Sequence, residues 1–281
     1  MSVRIIVDST ADLTAEVKAR LTVVPLTVHF GEEEYIDGVT IDHKMFYEKL
    51  VESDVLPTTS QATPGAFAEV FEQVAEAGES AVVIAVASKL SGTYQSAVIA
   101  AEEYSDRIFV VDSQSVAIGA SILAELALRM VDEGMSAREI AEEITREREN
   151  ICLVAMLDTL EYLKRGGRIS KAVALAGGLL SIKPVVSIRD GEIQMLGKAR
   201  GSKQGNNLLV SEIQKAGGVD FTKPLLLGYT GLSDILLRKY VEDSRSLWEE
   251  GGQELRSTPI GSVVGTHAGP GAVAVAFFKK Q

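Results

Sequence analysis

Two short stretches hold the side chains best suited to gripping an anion. The first is Pro57-Thr58-Thr59-Ser60-Gln61-Ala62-Thr63-Pro64-Gly65 and the second is Ala87-Ser88-Lys89-Leu90-Ser91-Gly92-Thr93-Tyr94. Each leads into apolar residues at helical spacing: Phe67, Val70, Phe71 and Val74 after the first, Tyr94, Ala97, Val98 and Ala101 after the second. Hydroxyls beside a helix start join free backbone N–H groups and a favourable dipole, which together suit an anionic head group. If the two starts face each other, one head group sits between them. The same hydroxyls also read as plain helix caps, with Thr63 as N-cap and Pro64 in the first helical position. A third donor is His267, in the glycine-rich run Val264-Gly265-Thr266-His267-Ala268-Gly269-Pro270-Gly271, which is expected to be a loop. Imidazole donates to anions near neutral pH; a surface-loop histidine without a role is the equal alternative.

The elements that must position these groups alternate strand and helix. Val3 to Val7 is expected to be a strand, followed by the hydroxyl-rich turn Asp8-Ser9-Thr10-Ala11-Asp12. Val23 to Phe30 reads as one strand, and Asp42 as the cap of a helix carrying Phe46, Leu50 and Val51. Ala81 to Val86 and Ile108 to Val111 are strands, the latter ending at Asp112-Ser113. Val116 to Met130 is apolar nearly all round and predicts a helix buried on a sheet. Ser136-Ala137-Arg138-Glu139 is a capping box. The second half opens at Ile151 and predicts a hairpin around Asp190-Gly191, helices near Asn206–Lys215 and Ile235–Trp248, a short strand Leu225 to Leu227 and a last strand Ala272 to Phe278. The expected fold class is α/β: two packed lobes, residues 1–150 and 151–281, the first with a mainly parallel sheet flanked by helices.

Composition removes several functions. The net charge is −11, which disfavours general nucleic-acid binding. Only three histidines occur, with no H-E-x-x-H, so neither a zinc site nor any other metal is expected. No G-x-x-x-x-G-K-[ST] loop, G-x-S-x-G elbow or S-x-x-K is present. The G-x-G-x-x-[GA] pattern from Gly269 to Ala274 is discarded, because no helix, strand and acidic residue follow it. Cys152, alone in an apolar strand, reads as a core residue in a reducing cytoplasm. No secretory signal or membrane span is expected.

Taken in order, several segments resemble the DegV family of bacterial fatty-acid-binding proteins, the FakB-type subunits of fatty acid kinase. They are Asp8-Ser9-Thr10-Ala11-Asp12-Leu13, Thr59-Ser60-Gln61, Leu90-Ser91-Gly92-Thr93-Tyr94-Gln95-Ser96-Ala97, Val111-Asp112-Ser113, Lys164-Arg165-Gly166-Gly167-Arg168-Ile169-Ser170, Ile182-Lys183-Pro184 and His267-Ala268-Gly269-Pro270-Gly271-Ala272. The ordered set covers residues 3–279 as one unit. Ala62 and Thr63 stand where the family has Pro and Ser, and Ala274 where it has Gly. The resemblance implies an acyl chain in an apolar tunnel between the lobes, its carboxylate held by Thr59, Ser91 and His267, with Ser60 and Gly92 as supporting loop. It further implies no cofactor beyond the bound long-chain fatty acid, and a separate ATP-dependent fatty acid kinase as partner. The expected setting is cytoplasmic, transiently peripheral to the membrane.

Two further expectations remain. A hydrolase or transferase acting on a small anionic metabolite would use Ser91 as nucleophile and His267 as base, but no carboxylate is assignable to orient that imidazole. Basic residues cluster at Lys164, Arg165, Arg168 and Lys171, and at Lys198, Arg200 and Lys203. They are either solvated surface or, at Arg168 and Arg200, contacts to the kinase, its nucleotide or an anionic bilayer, with the small apolar segment Ala172 to Leu180 moving to admit lipid.

Overall fold

The computed structural model describes residues 2–169, 182–252 and 254–280; Ser170, Lys171 and the segment Ala172 to Leu180 lie outside the described residues. In chain order the elements are β1 (Val3–Asp8), α1 (Ala15–Lys18), β2 (Thr22–Val24), β3 (Thr27–Phe30), β4 (Glu33–Ile36), α2 (His43–Glu52), β5 (Thr58–Ser60), α3 (Pro64–Glu76), β6 (Ser80–Ala85), α4 (Thr93–Ala101), β7 (Ile108–Asp112), α5 (Ile118–Asp132), α6 (Ala137–Glu147), β8 (Ile151–Met156) and α7 (Glu161–Arg165). There follow β9 (Ile182–Arg189), β10 (Glu192–Arg200), α8 (Gly201–Lys215), β11 (Leu226–Tyr229), α9 (Ile235–Asp243), α10 (Arg245–Trp248), β12 (Ser257–Pro259), α11 (Ser262–Ala268) and β13 (Val273–Phe278).

Three sheets result. The first has the order β2-β1-β6-β7, and each of its pairs is parallel. The second has the order β10-β9-β8-β13-β11-β12 and is antiparallel except for β11 with β12. A small antiparallel sheet, β4-β3-β5, lies outside both. Its presence corrects the expectation of a single strand from Val23 to Phe30. Pro25 cannot donate to a ladder, so the run divides: β2 joins the parallel sheet and β3 joins the small one.

The local capping signals act as the sequence predicts. The Thr63 hydroxyl accepts from Ala66 N–H, Asp42 from Met45 N–H, and Ser136 with Glu139 forms the reciprocal capping box. Asp190 and Gly191 both have positive φ at the turn between β9 and β10. Ser244 divides the expected helix from Ile235 to Trp248 into α9 and α10.

Helix α5 joins the two larger sheets. Ile118, Ala120, Ile122, Leu123, Ala124, Ala127 and Leu128 are all buried. They share one apolar cluster with Ile5, Val7, Val82 and Ile84 of the parallel sheet and with Leu153, Leu226, Ala276 and Phe278 of the mixed sheet. The run is apolar nearly all round because every residue from Ile118 to Ala124 is buried, and exposure begins only toward the end of the helix, at Arg129 and Asp132. Among the described residues no helix is long and apolar enough to cross a membrane.

This packing predicts that the two sheets unfold together. Leu123→Ala removes a fully buried side chain from the shared cluster and is expected to cost about 2–5 kcal/mol. Trp248, the only tryptophan, lies in the second half, so its fluorescence should lose signal at the same denaturant midpoint as far-UV circular dichroism. Separate midpoints would show two independent units.

Candidate ligand-binding site

A cavity of about 410 Å³ lies between the parallel and mixed sheets, within the roughly 300–1,000 Å³ usual for small-molecule sites. Leu26 and Val86 line it from the first half. Leu153, Leu157, Val186, Ile260, Val263, Ala272 and Ala274 line it from the second. Polar lining residues gather round one region: Thr59, Ser60, Gln61, Ser91, Gly92, Arg168 and His267.

Each member of that group has a structural reason for its place. Thr59 sits in the middle of β5, opposite Val28 of β3. Paired residues share a face of a sheet, and Val28 is fully buried, so Thr59 points inward while Thr58 and Ser60 point out. The first stretch is thus an edge strand before its helix. Thr59 Oγ1 lies 3.0 Å from His267 Nε2, across 208 positions of sequence. His267 occupies the last turn of α11 rather than a loop. The sequence hides this helix because its leading end is held by distant groups: Gly261 N–H donates to Asp12 Oδ1 at 2.6 Å and Ser262 Oγ to Asp37 Oδ1 at 2.5 Å.

Ser91 precedes α4 and shares a hydrogen bond with Thr93 Oγ1 at 2.9 Å, while Thr93 N–H approaches its oxygen at 3.3 Å. It therefore serves the helix start and lines the cavity at once. Gly92 is required there, since a Cβ would sit 2.1 Å from Gln61 Oε1. Gln61, which sequence reasoning quoted but did not assign, donates from Nε2 to Ser96 Oγ at 3.0 Å and locks the two stretches together. Ser60 Oγ pairs with His29 Nε2 at 2.8 Å toward the outside. The other strand-end hydroxyls do not join the group: Ser9 Oγ accepts from Leu26 N–H and Ser113 Oγ donates to Ser115 O.

Arg168, expected in a surface cluster, stands in the cavity wall. Its Nε donates to Leu90 O at 3.2 Å and its Nη1 to Gly166 O at 2.6 Å. The backbone of Gly166 passes close under the imidazole; a Cβ there would lie 2.2 Å from His267 Nδ1. Arg200 is exposed at the end of β10 and takes no part in the cavity.

Burial, and then the Arg168 charge, hold the His267 pKa down at about 4, so the ring is neutral in the ligand-free protein. Its Nδ1 is buried without a hydrogen-bond partner among the described residues. The arrangement suits an arriving anion: an unpaired imidazole nitrogen, a guanidinium beside it and two hydroxyls. Ser91 bonds Thr93 rather than His267, and among the described residues no carboxylate hydrogen-bonds the imidazole. Farther along the wall the hydroxyls are engaged: Thr10 Oγ1 donates to Asp8 at 2.6 Å, and Thr230 Oγ1 accepts from Ala272 N–H at 2.7 Å. Among the described residues no group of three or more His, Cys, Asp or Glu is placed to hold a metal ion.

Comparison with known proteins gives a consistent result. Residues 2–280 match the family model described as "Uncharacterised protein, DegV family". A DegV domain-containing protein of Clostridium perfringens is 34% identical over 286 residues, with 99% of each chain covered. The solved structure titled "Fatty Acid Binding of a DegV family Protein from Thermus thermophilus" superposes with a TM-score of 0.89 at 29% identity, covering 100% of both chains. The Streptococcus pneumoniae "Fatty Acid Kinase (Fak) B3 protein", solved with linoleic acid, shares the fold at a TM-score of 0.87 and 23% identity, again covering 100% of both chains.

The geometry of the imidazole is testable without any ligand. The ring C–H resonance of His267 is expected to titrate near pH 4. Arg168→Gln should raise that midpoint but leave it below 6.5, because burial is the larger cause. A lowered histidine pKa stabilises the fold above the unfolded value, and that contribution fades as pH falls through the folded one. A midpoint at or above 6.5 in the ligand-free protein would contradict this placement.

Proposed function

The chain belongs to the DegV family, and from that premise we propose that it binds a long-chain fatty acid and presents it to a separate ATP-dependent kinase. The observation that carries the reading is the cavity itself: a region of hydroxyl and imidazole donors continuous with an apolar wall drawn from both sheets. The acyl chain lies along Leu26, Leu153, Val186, Ile260 and Val263. The carboxylate meets Thr59, Ser91 and His267, with Ser60 and Gly92 supporting the two stretches that carry the hydroxyls. A bound carboxylate raises the imidazole pKa again, so that binding and protonation of His267 favour each other. The Arg168 charge adds to the attraction for an anion.

The chain performs no phosphoryl transfer in this reading. It fixes one carboxylate oxygen where a kinase can reach it, and positioning of that kind lowers a reaction barrier without covalent chemistry by the carrier. The lack of a phosphate-binding loop fits that division of labour. Support for the ligand comes from the fatty-acid-binding DegV family protein of Thermus thermophilus, which shares the fold over the whole chain. The exposed Arg200 is assigned to contacts with the kinase or an anionic bilayer, in a protein that works in the cytoplasm and meets the membrane only transiently, while Arg168 serves the cavity instead.

Native mass spectrometry of the protein purified from bacteria should show a bound long-chain fatty acid. Thr59→Ala removes a donor to a charged group and should weaken binding by about 1.5–3 kcal/mol while the melting temperature stays near the wild-type value. An empty protein that also fails to take up added fatty acid would end the proposal.

A second measurement addresses presentation. Arg200→Glu should lower transfer of fatty acid from anionic vesicles to the kinase while affinity in solution is retained. Wild-type transfer rates in that variant would remove Arg200 from the contact surface.

A further inference from the structure

Helix α11 is short, and almost everything about its placement is decided at its leading end. Asp12, from the loop after β1, accepts the Gly261 N–H at 2.6 Å. Asp37, from the turn after β4, accepts the Ser262 hydroxyl at 2.5 Å. The two carboxyls converge: Asp12 Oδ1 and Asp37 Oδ1 lie 3.1 and 3.8 Å from the point where a Cβ on Gly261 would sit. Both side chains are buried, at 6 and 7% exposure. Further along, Gly265 rests against Tyr47 and Phe46, where a Cβ would meet Tyr47 Oη at 2.5 Å and Phe46 Cε1 at 2.7 Å. His267 follows six residues after Gly261, about 9 Å along the axis.

A seven-residue helix pinned at one end and wedged at its middle has little freedom at the other. Release of the leading end lets it tilt about the Gly265 contact, and the imidazole moves with it. We propose that Asp12 and Asp37 are positioning residues for His267, holding α11 from two loops of the first half so that the ring meets Thr59 and the incoming ligand. This inference rests on the fatty-acid reading only for its effect on affinity; the placement of the ring is a property of the ligand-free chain.

The chemistry of the anchor distinguishes it from an ordinary cap. Among the described residues no basic side chain hydrogen-bonds either carboxyl. Burial raises both pKa values, Asp12 well above the ordinary carboxylate range, and the Asp37 charge raises Asp12 further. The titratable and charged groups that interact with the pair are Asp8 at the end of β1, Lys18 of α1 and Tyr47 of α2. Lys18 alone among them opposes the repulsion, and it acts on Asp37. Asp12 Oδ2 is buried without a partner among the described residues. Two buried carboxyls placed this way are more stable when Asp12 carries a proton than when both are charged. Loss of that proton at higher pH sets like charges against each other at the helix end. The sign follows: an acid whose folded pKa is raised stabilises the fold below its unfolded value and loses that contribution as pH rises through the folded one.

The test uses the ring C–H resonances of the three histidines, His29, His43 and His267, in the ligand-free protein, followed by fatty-acid titration. In the wild type, the His267 resonance should show a second inflection on the alkaline side of its own. Asp12→Ala, which leaves Gly261 N–H without its acceptor, should shift that resonance and weaken fatty-acid binding at least about tenfold. Asp12→Asn keeps an acceptor oxygen, so it should restore the resonance and most of the lost affinity while abolishing the alkaline inflection. Should Asp12→Ala fail to fold, the inflection in wild type against Asp12→Asn decides alone. A His267 resonance unmoved in Asp12→Ala, or an inflection that survives in Asp12→Asn, overturns the proposal. A shifted resonance with unchanged affinity in both Asp12→Ala and Thr59→Ala would uphold the positioning and reject the fatty-acid site.

Discussion

The arrangement depends on one packing constraint: α5 must bury every residue from Ile118 to Ala124. A parallel sheet covers one side of it and a mixed sheet the other, so neither sheet closes its core without the helix. Once the sheets are held apart by a helix, the space beyond its N-terminal end is bounded by both yet filled by neither. The cavity opens there, with Val116 and Ala117 at the start of α5 in its wall. Ala117 takes a positive φ and Gln114 another, so the chain turns sharply into the helix. Such backbone is costly for residues other than glycine, and it persists because the buried strands on either side leave the turn no alternative.

The second constraint is electrostatic. A dry cavity that takes an anion must keep its donors from neutralising one another beforehand. His267 is neutral and half-satisfied, bonded through one nitrogen and orphaned at the other. Arg168 spends donors on two backbone carbonyls, which fixes its charge in place without cancelling it. Buried polar groups left partly unpaired are unfavourable, and under the proposed function the ligand's carboxylate completes the set.

Much of this was legible in the sequence, and the parts that were not share a cause. Thr59, Ser91 and His267 stood out because hydroxyls and imidazole recur in short distinctive runs, and the ordered runs resemble one family. Local rules also predicted α3 with its Thr63 cap, α6 with its capping box and the turn at Asp190-Gly191. What failed depends on partners far along the chain. The helical state of His267 comes from Asp12 and Asp37, roughly 250 and 225 positions away. The β5 strand exists because β3 offers an edge to it. Arg168 read as a surface charge because three of its sequence neighbours are basic, whereas its hydrogen bonds turn it inward. Pro25 was a local signal that outweighed the continuous apolar pattern around it.

The polar region of the cavity is made largely by backbone brought close through glycine. Gly92 lets Gln61 approach, Gly166 lets the imidazole lie over α7, and Gly265 lets α11 rest on α2. The rest of the wall is built from ordinary aliphatic side chains. The two ends of the site are therefore separable under the proposed function: the head group meets side-chain donors set on a main-chain frame packed through glycine, while the tail meets volumes that any Val, Leu or Ile exchange would alter. Under the proposed function, a lineage of such chains can retune which tails it accepts, by length or by bend, without disturbing the grip on the head. Two carriers that differ only in that aliphatic wall would then divide a pool of lipids between them and still offer the same head group to one partner enzyme.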